Sequence, residues 1–253
     1  MDKLFIKNRK VLEMAVVVDE IENQKGLVFL MHGFLSYKEH PLLLSTAQIF
    51  KENNFTTVLF DSTNSLGKSE GRMEDGTTTG YFEDLEDVID WAKKQKWYDD
   101  KFYLVGHSLG GYCVAKYAAQ NENVKNLILF NPKVLGEIFE KNNDEEMIKE
   151  WKEKGLIEWE SHSSPGVFKR KGYKYFEDGI NHNLLEIAGN IKCPVLILSG
   201  DEDEVIPIEQ QKELFDRIKS KKEIYIFKNG DHNLEGKEDS EEFINIISKN
   251  IAK

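Results

Sequence analysis

Short apolar runs punctuate the chain at Leu4–Ile6, Val11–Val18, Leu27–Met31, Thr57–Phe60, Phe102–Val105, Leu127–Phe130, Val195–Leu198 and Ile224–Phe227. From the third onward they are unbroken rather than alternating, the pattern of parallel strands covered on both faces. The first two lie close together and read as an antiparallel hairpin at a sheet edge. Segments of helical period fill the spaces between the later runs. Phe82, Leu85, Val88, Ile89 and Ala92 mark one face of Tyr81–Lys94, and Ser240 caps a last helix carrying Phe243, Ile244, Ile246, Ile247 and Ile251. Such alternation predicts a doubly wound α/β fold: a mostly parallel sheet of about eight strands with helices on both faces.

One stretch breaks the rhythm. Some 64 residues separate the sixth run from Val195 without a strand signal, far more than an ordinary loop needs. They include a charged helical pattern with Met147, Ile148 and Trp151 on its apolar edge and a stop at Gly155, then the turn Ser163-Ser164-Pro165-Gly166, then the aromatic stretch Tyr173–Phe176. This is too little apolar material for an independent core, so the stretch is expected to be a cap folded over one edge of the sheet. The organisation expected is a core in two parts, 1–132 and 191–253, with a cap insertion at 133–190.

Charge and composition narrow the partners. Lys and Arg total 34 against 45 Asp and Glu, for a formal charge of −11, which leaves no basic surplus for a nucleic acid. Cys113 and Cys193 are too few for a disulfide framework or a four-ligand zinc site. No apolar run approaches the ~18 residues of a membrane span. Lys3, Lys7, Arg9 and Lys10 precede Val11–Val18 in the manner of a leader peptide, but Glu13 interrupts that run and no small-residue cleavage site comes after it. A cytoplasmic protein is expected, and a homodimer is compatible with the sequence.

Two stretches match Gly-x-Ser-x-Gly, a pattern that arises by chance in such a length with a probability of about 0.1. Context separates them. Gly67-Lys-Ser69-Glu-Gly71 follows a polar loop and has no helix directly behind it. Gly106-His-Ser108-Leu-Gly110 follows the run Phe102–Val105 and opens into the helical pattern Tyr112–Ala119. Strand, sharp turn and helix are what a nucleophile elbow needs, and a serine at a helix N-terminus gains from the dipole. Ser108 is the candidate and Ser69 the decoy. The stretch is neither Gly-x-Gly-x-x-Gly nor a P-loop, so it carries no nucleotide signature.

A serine nucleophile needs a base and a group that orients the base. On an elbow scaffold they come in the order Ser, acid, His, each just past a later strand. After Val195–Leu198 come Asp201, Glu202, Asp203 and Glu204; after Ile224–Phe227 come Asn229-Gly230-Asp231-His232. Spacing alone leaves Asp201 and Asp203 open. His32-Gly33-Phe34 ends the third run, and the backbone N–H groups of Phe34 and Leu109 are the candidate oxyanion donors. His32 is read as shaping that loop by hydrogen bonding. His162 and His182 could line a pocket, but lack metal-ligand spacing.

Together, His32-Gly33-Phe34, Gly106-His-Ser-Leu-Gly-Gly111, Gly200-x-x-Asp203 and Gly230-Asp-His232 resemble the oxyanion, elbow, acid and histidine motifs of the α/β-hydrolase superfamily, over essentially the whole chain. The resemblance selects Asp203 as the acid and implies that the insertion after Phe130 is the cap. Phe60-Asp61 through Gly71, then Thr77–Thr79 and Glu83-Asp84, is similar to a subgroup containing cinnamoyl/feruloyl-type esterases and serine aminopeptidase-like hydrolases. Asn64 departs from that pattern, standing where the subgroup has a glycine. The implied activity is cofactor-free and metal-free hydrolysis of small-to-medium acyl or aryl carboxylic esters (EC 3.1.1.-) through Ser108, His232 and Asp203. A thioester or short peptide would use the same triad. A non-catalytic binding protein on this fold would not need to keep all three residues.

Overall fold

The computed structural model describes residues 2–136, 145–160 and 166–252. In chain order its elements are β1 (Asp2–Lys7), β2 (Glu13–Asp19), β3 (Gly26–Met31), α1 (Pro41–Glu52), β4 (Phe55–Phe60), α2 (Thr78–Ala92), β5 (Phe102–His107), α3 (Leu109–Gln120), β6 (Val124–Phe130), α4 (Glu145–Lys154), β7 (Leu156–Glu160), β8 (Phe168–Gly172), α5 (Tyr173–Gly179), α6 (Leu184–Ile187), β9 (Val195–Gly200), α7 (Ile208–Arg217), β10 (Lys222–Phe227) and α8 (Glu241–Ile251). Each of the eight apolar runs is a strand of a single sheet, ordered β1-β2-β4-β3-β5-β6-β9-β10. β1 and β2 form the expected antiparallel hairpin at one edge, and β2 meets β4 antiparallel. Every pairing from β4 across to β10 is parallel.

Alternation along the strands builds two cores. Leu27, Phe29 and Met31 of β3 face a cluster with Leu85 and Val88 of α2, Leu109 and Val114 of α3 and Leu214 of α7. Val28 and Leu30 face the other cluster, with Leu42 and Phe50 of α1 and Phe243 and Ile247 of α8. Because both faces are covered, β3, β4 and β5 are buried along their whole lengths. Helix α2 begins three residues before the expected start at Tyr81, because the Thr77 side chain accepts a hydrogen bond from the Gly80 N–H and caps it. Ser240 caps α8 in the same way, accepting from the Phe243 N–H at 3.2 Å.

The sequence between β6 and β9 is not free of strands. β7 and β8 pair antiparallel with each other and with nothing else, outside the main sheet. Their residues alternate between half-buried and exposed, and β8 (Phe-Lys-Arg-Lys-Gly) has one large apolar side chain. So polar a strand carries almost no hydrophobic signal. Trp151, Tyr173 and Phe176 pack on one another here, with ring centroids 5.5–6.0 Å apart. His162 and residues 163–165 of the expected turn lie outside the described residues. Among the described residues, no helix is long and apolar enough to cross a membrane.

Buried polar groups tie the hairpin edge to the helices. The Asp84 carboxylate on α2 accepts from Asn8 Nδ2 at 2.8 Å and from both the N–H and hydroxyl of Thr63. Burial pushes its pKa up to about 6, against those hydrogen bonds.

The second core supplies a direct test of the packing. Phe243 is fully buried and stacks on Phe130 at 5.6 Å. Phe243→Ala is expected to lower the urea-unfolding free energy by about 3–5 kcal/mol; a loss below about 1 kcal/mol would contradict the packing role of α8.

Candidate active site

The C-terminal ends of β3, β5, β6, β9 and β10 lie side by side along one edge of the sheet, and the candidate residues leave from them. β5 ends at His107 and α3 begins at Leu109, so Ser108 makes the whole turn between strand and helix. Its φ of +52° is left-handed, a conformation that costs a non-glycine residue and that is kept only where the surroundings enforce it. Here they do: the Ser108 N–H donates to the Phe130 carbonyl of β6 at 2.9 Å, and its own carbonyl accepts from the N–H groups of Tyr112 and Lys133. The turn also needs a glycine behind it. A Cβ at Gly110 would lie 2.5 Å from the main-chain oxygens of Met31 and His32, so only glycine lets α3 approach β3 this closely.

His232 stands beyond β10 and joins the other two side chains. Its Nε2 is 3.0 Å from Ser108 Oγ and its Nδ1 is 2.8 Å from Asp203 Oδ2. The second Asp203 oxygen accepts the N–H groups of Val205 and Ile206 at 2.8 and 2.9 Å. That fixes the orientation of the carboxylate. Asp201, the alternative left open by spacing, is exposed and stays outside this chain of bonds.

The loop after β3 lies against the elbow. A Cβ at Gly33 would stand 3.1 Å from the Ser108 Cβ, which brings the adjoining Phe34 amide beside the serine. The Leu109 amide is the first of α3, where N–H groups have no partner within the helix. His32 shapes this loop: its Nδ1 bonds the Gly33 carbonyl at 2.7 Å while Nε2 accepts the Ser62 N–H at 3.0 Å, so Nδ1 carries the proton. Burial holds the ring neutral, its pKa lowered.

The sequence reading missed Lys38 and gave Asp61 no role of its own. Lys38 and Asp61, 2% and 0% exposed, form an ion pair at 2.7 Å. The Asp61 carboxylate also accepts the Lys38 N–H and the Lys68 N–H, tying the loop after β3 to the loop after β4. Ser69, the decoy, belongs to that second loop. Its hydroxyl donates to the Asp61 carbonyl at 2.6 Å and accepts the Ala15 N–H at 2.9 Å, which is a structural role. Asn64 adopts φ +60°, so it serves where a glycine is usual by tolerating the left-handed conformation.

The segment before β9 closes over the loop after β3. Tyr175 of α5 stacks on Phe34 with centroids 3.9 Å apart. Lys133 and Lys171 lie over the same Tyr175 ring at 4.8 and 5.5 Å, and burial lowers their ammonium pKa values to about 8 and about 7. His182 is buried and bonds the Tyr112 hydroxyl at 2.9 Å and Thr79 Oγ1 at 3.1 Å. Asp178 accepts the Thr79 N–H at 2.9 Å and its hydroxyl at 2.5 Å. Cys113 and Cys193 are both free and buried. Among the described residues, no group of three His, Cys, Asp or Glu side chains could hold a metal.

Known proteins resemble this chain in sequence and in fold. A family profile described as serine aminopeptidase, S33 matches residues 22–155 and 179–239. An uncharacterised 31.7 kDa Escherichia coli protein from the traX-finO intergenic region is 29% identical over 231 residues, covering 79% of this chain and 80% of that protein. The human mitochondrial palmitoyl-protein thioesterase ABHD10 is 27% identical over 232 residues, covering 90% of this chain and 73% of that protein. Among solved structures, Est1E from Butyrivibrio proteoclasticus with ferulic acid bound superposes with a TM-score of 0.83 at 22% identity, over 99% of this chain and 100% of that one.

The Asp178 anchor generates a pH test. Burial alone would raise this carboxyl, but hydrogen bonds from His182 and Thr79 outweigh it and bring the pKa down to about 2 from 3.8. A depressed folded-state pKa stabilises above the unfolded value and is lost as pH falls through the folded one. The stability gap between wild type and Asp178→Asn is therefore expected to be full above about pH 4 and to close towards about pH 2. A gap that is constant over that range in urea titrations would contradict it.

Proposed function

The chain belongs to the serine aminopeptidase S33 family of α/β hydrolases, and we propose that it cleaves carboxylic esters through an acyl-enzyme on Ser108. The observation that carries this reading is His232 bridging Ser108 and Asp203 from separate strand ends. His232 Nε2 takes the hydroxyl proton as Ser108 Oγ attacks the substrate carbonyl. Asp203 keeps the imidazole in the Nδ1–H tautomer and stabilises the imidazolium that forms. The N–H groups of Phe34 and Leu109 receive the oxyanion, each such donor being worth about 3 kcal/mol in the transition state. The imidazolium then returns its proton to the leaving alcohol, and water repeats the two steps on the acyl-enzyme. The described part of the segment 133–190 acts as the cap that bounds the acyl site, with Tyr175 against Phe34 as its contact with the oxyanion loop.

A thioester is the second reading, favoured by the likeness to a palmitoyl-protein thioesterase over 90% of this chain. The same triad would serve, because fold and nucleophile do not choose the leaving group. Substrates discriminate: p-nitrophenyl esters from acetate to dodecanoate, the matching acyl thioesters with thiol release monitored, and an aminoacyl p-nitroanilide for peptidase action. Ester turnover is expected to exceed anilide turnover. Preference for the thioester at equal chain length would select the second reading, and preference for the anilide would overturn both.

Ser108→Ala is expected to lower kcat by at least about 10³-fold while the fold is kept. Ser69→Ala is expected to stay within a few-fold of wild type. Equal losses in the two variants would contradict the assignment of the nucleophile.

A further inference from the structure

The carbonyl oxygen of His232 accepts two side-chain hydrogen bonds at once. His107 Nε2 reaches it from the end of β5 at 2.9 Å, and Asn131 Nδ2 from the end of β6 at 2.9 Å. Asn131 does more: the same amide nitrogen reaches the Asp231 carbonyl at 3.1 Å, and its Oδ1 accepts the Gly200 N–H at 3.1 Å. One fully buried side chain thus spans the loop that carries the base and the strand end that leads to the acid. Asn131 holds φ +39°, a left-handed conformation retained immediately after a strand, which aims its amide along the strand ends.

These bonds answer a mechanical need. The His232 loop leaves β10, which is the edge strand of the sheet, so it has neighbouring strand ends on one side only. Its imidazole must nevertheless reach two partners on two other strand ends, at 2.8 and 3.0 Å. Resting on the triad reading of Ser108, His232 and Asp203, we infer that His107 and Asn131 are positioning residues: their grip on the His232 carbonyl holds the imidazole in register with Ser108 and Asp203 together. Neither touches the reacting atoms.

The state of His107 suits the task. To donate to a carbonyl, its Nε2 must carry the proton. The ring is buried and stacked on His40, with centroids 5.4 Å apart and planes 22° apart. Its own centroid lies 5.0 Å from that of His232. Burial, with repulsion from His232 and His40, drives its pKa well below that of an ordinary histidine. His107 therefore remains a neutral donor while its neighbour gains and loses a proton.

Three variants of the full chain test the inference. His107→Leu removes one donor. His107→Gln restores an amide N–H near the same place. Asn131→Asp keeps the size, the tolerance for positive φ and the acceptor for Gly200, but removes the donor. Displacing a reacting group by about 1 Å can cost on the order of 10²-fold in rate. The Leu and Asp variants are accordingly expected to lose at least about tenfold in kcat, with KM within about twofold and with cooperative unfolding retained. His107→Gln is expected to recover to within about threefold of wild type.

Histidine-selective ¹H–¹⁵N spectra provide a readout that needs no turnover. His232 should occupy the single Nδ1–H tautomer in wild type and His107→Gln, and mixed tautomers in the other two. Unchanged kcat with one tautomer throughout, or His107→Gln falling as far as His107→Leu, would overturn the inference. An inactive wild type showing the tautomer pattern expected here would instead overturn the hydrolase reading and leave the clamp standing.

Discussion

Parallel register is the constraint on which the rest of this structure depends. Met31 pairs with Gly106, His107 with Phe130, Phe130 with Leu198, and Gly200 with Phe227. Each strand therefore stops beside its neighbour, and the loops leaving those strand ends share one edge of the sheet. Residues 32–34, 107–109, 131, 200–203 and 230–232 meet there although some 200 positions separate the first from the last. A slip of one residue in any strand would turn its side chains to the opposite face and misalign the loop behind it. The two hydrophobic cores that hold the register thus also position the chemistry.

Support around the candidate site is polar and buried or half-buried. The Lys38–Asp61 pair holds the loop after β3 to the loop after β4, and Asp178 with His182 holds α5 to the start of α2. Removing one partner of a buried pair strands the other without solvent, so such contacts are costly to break even where their net worth is small. The aromatic stack of Phe34 on Tyr175 connects these two networks. Consequently the loop that carries one candidate oxyanion donor is braced from both sides, by the sheet and by the segment before β9.

Much of this was legible in the sequence, for identifiable reasons. Each of the eight main-sheet strands carries a short apolar run bounded by polar stretches, unbroken in the covered strands, and so announced itself, although Phe5 and Ile226 on the two edge strands are exposed. Ser108 was separable from Ser69 because a strand precedes the first and a helix comes directly after it. Asp203 was harder: four acidic residues share one loop, spacing alone left Asp201 open, and it was the resemblance of Gly200-x-x-Asp203 to a known acid motif that selected Asp203. Strands β7 and β8 were hard to see because each is only five residues long and charged side chains, Glu158, Lys169 and Arg170 among them, interrupt the few apolar ones. Asn131 left a clue that could have been used, a polar residue directly after the apolar run ending at Phe130, at the same sheet edge as Ser108. The partners of His107, Lys38 and Asp178 lie at sequence separations of 125, 23 and 99, which no local pattern records.

The most direct test is the site of covalent labelling by a fluorophosphonate, which reacts with a serine only when a base and oxyanion donors are assembled around it. Intact mass and then peptide mapping are expected to show one adduct per chain, on Ser108, formed far more slowly in His232→Ala. An adduct on Ser69, or no adduct on a folded chain, would contradict the account.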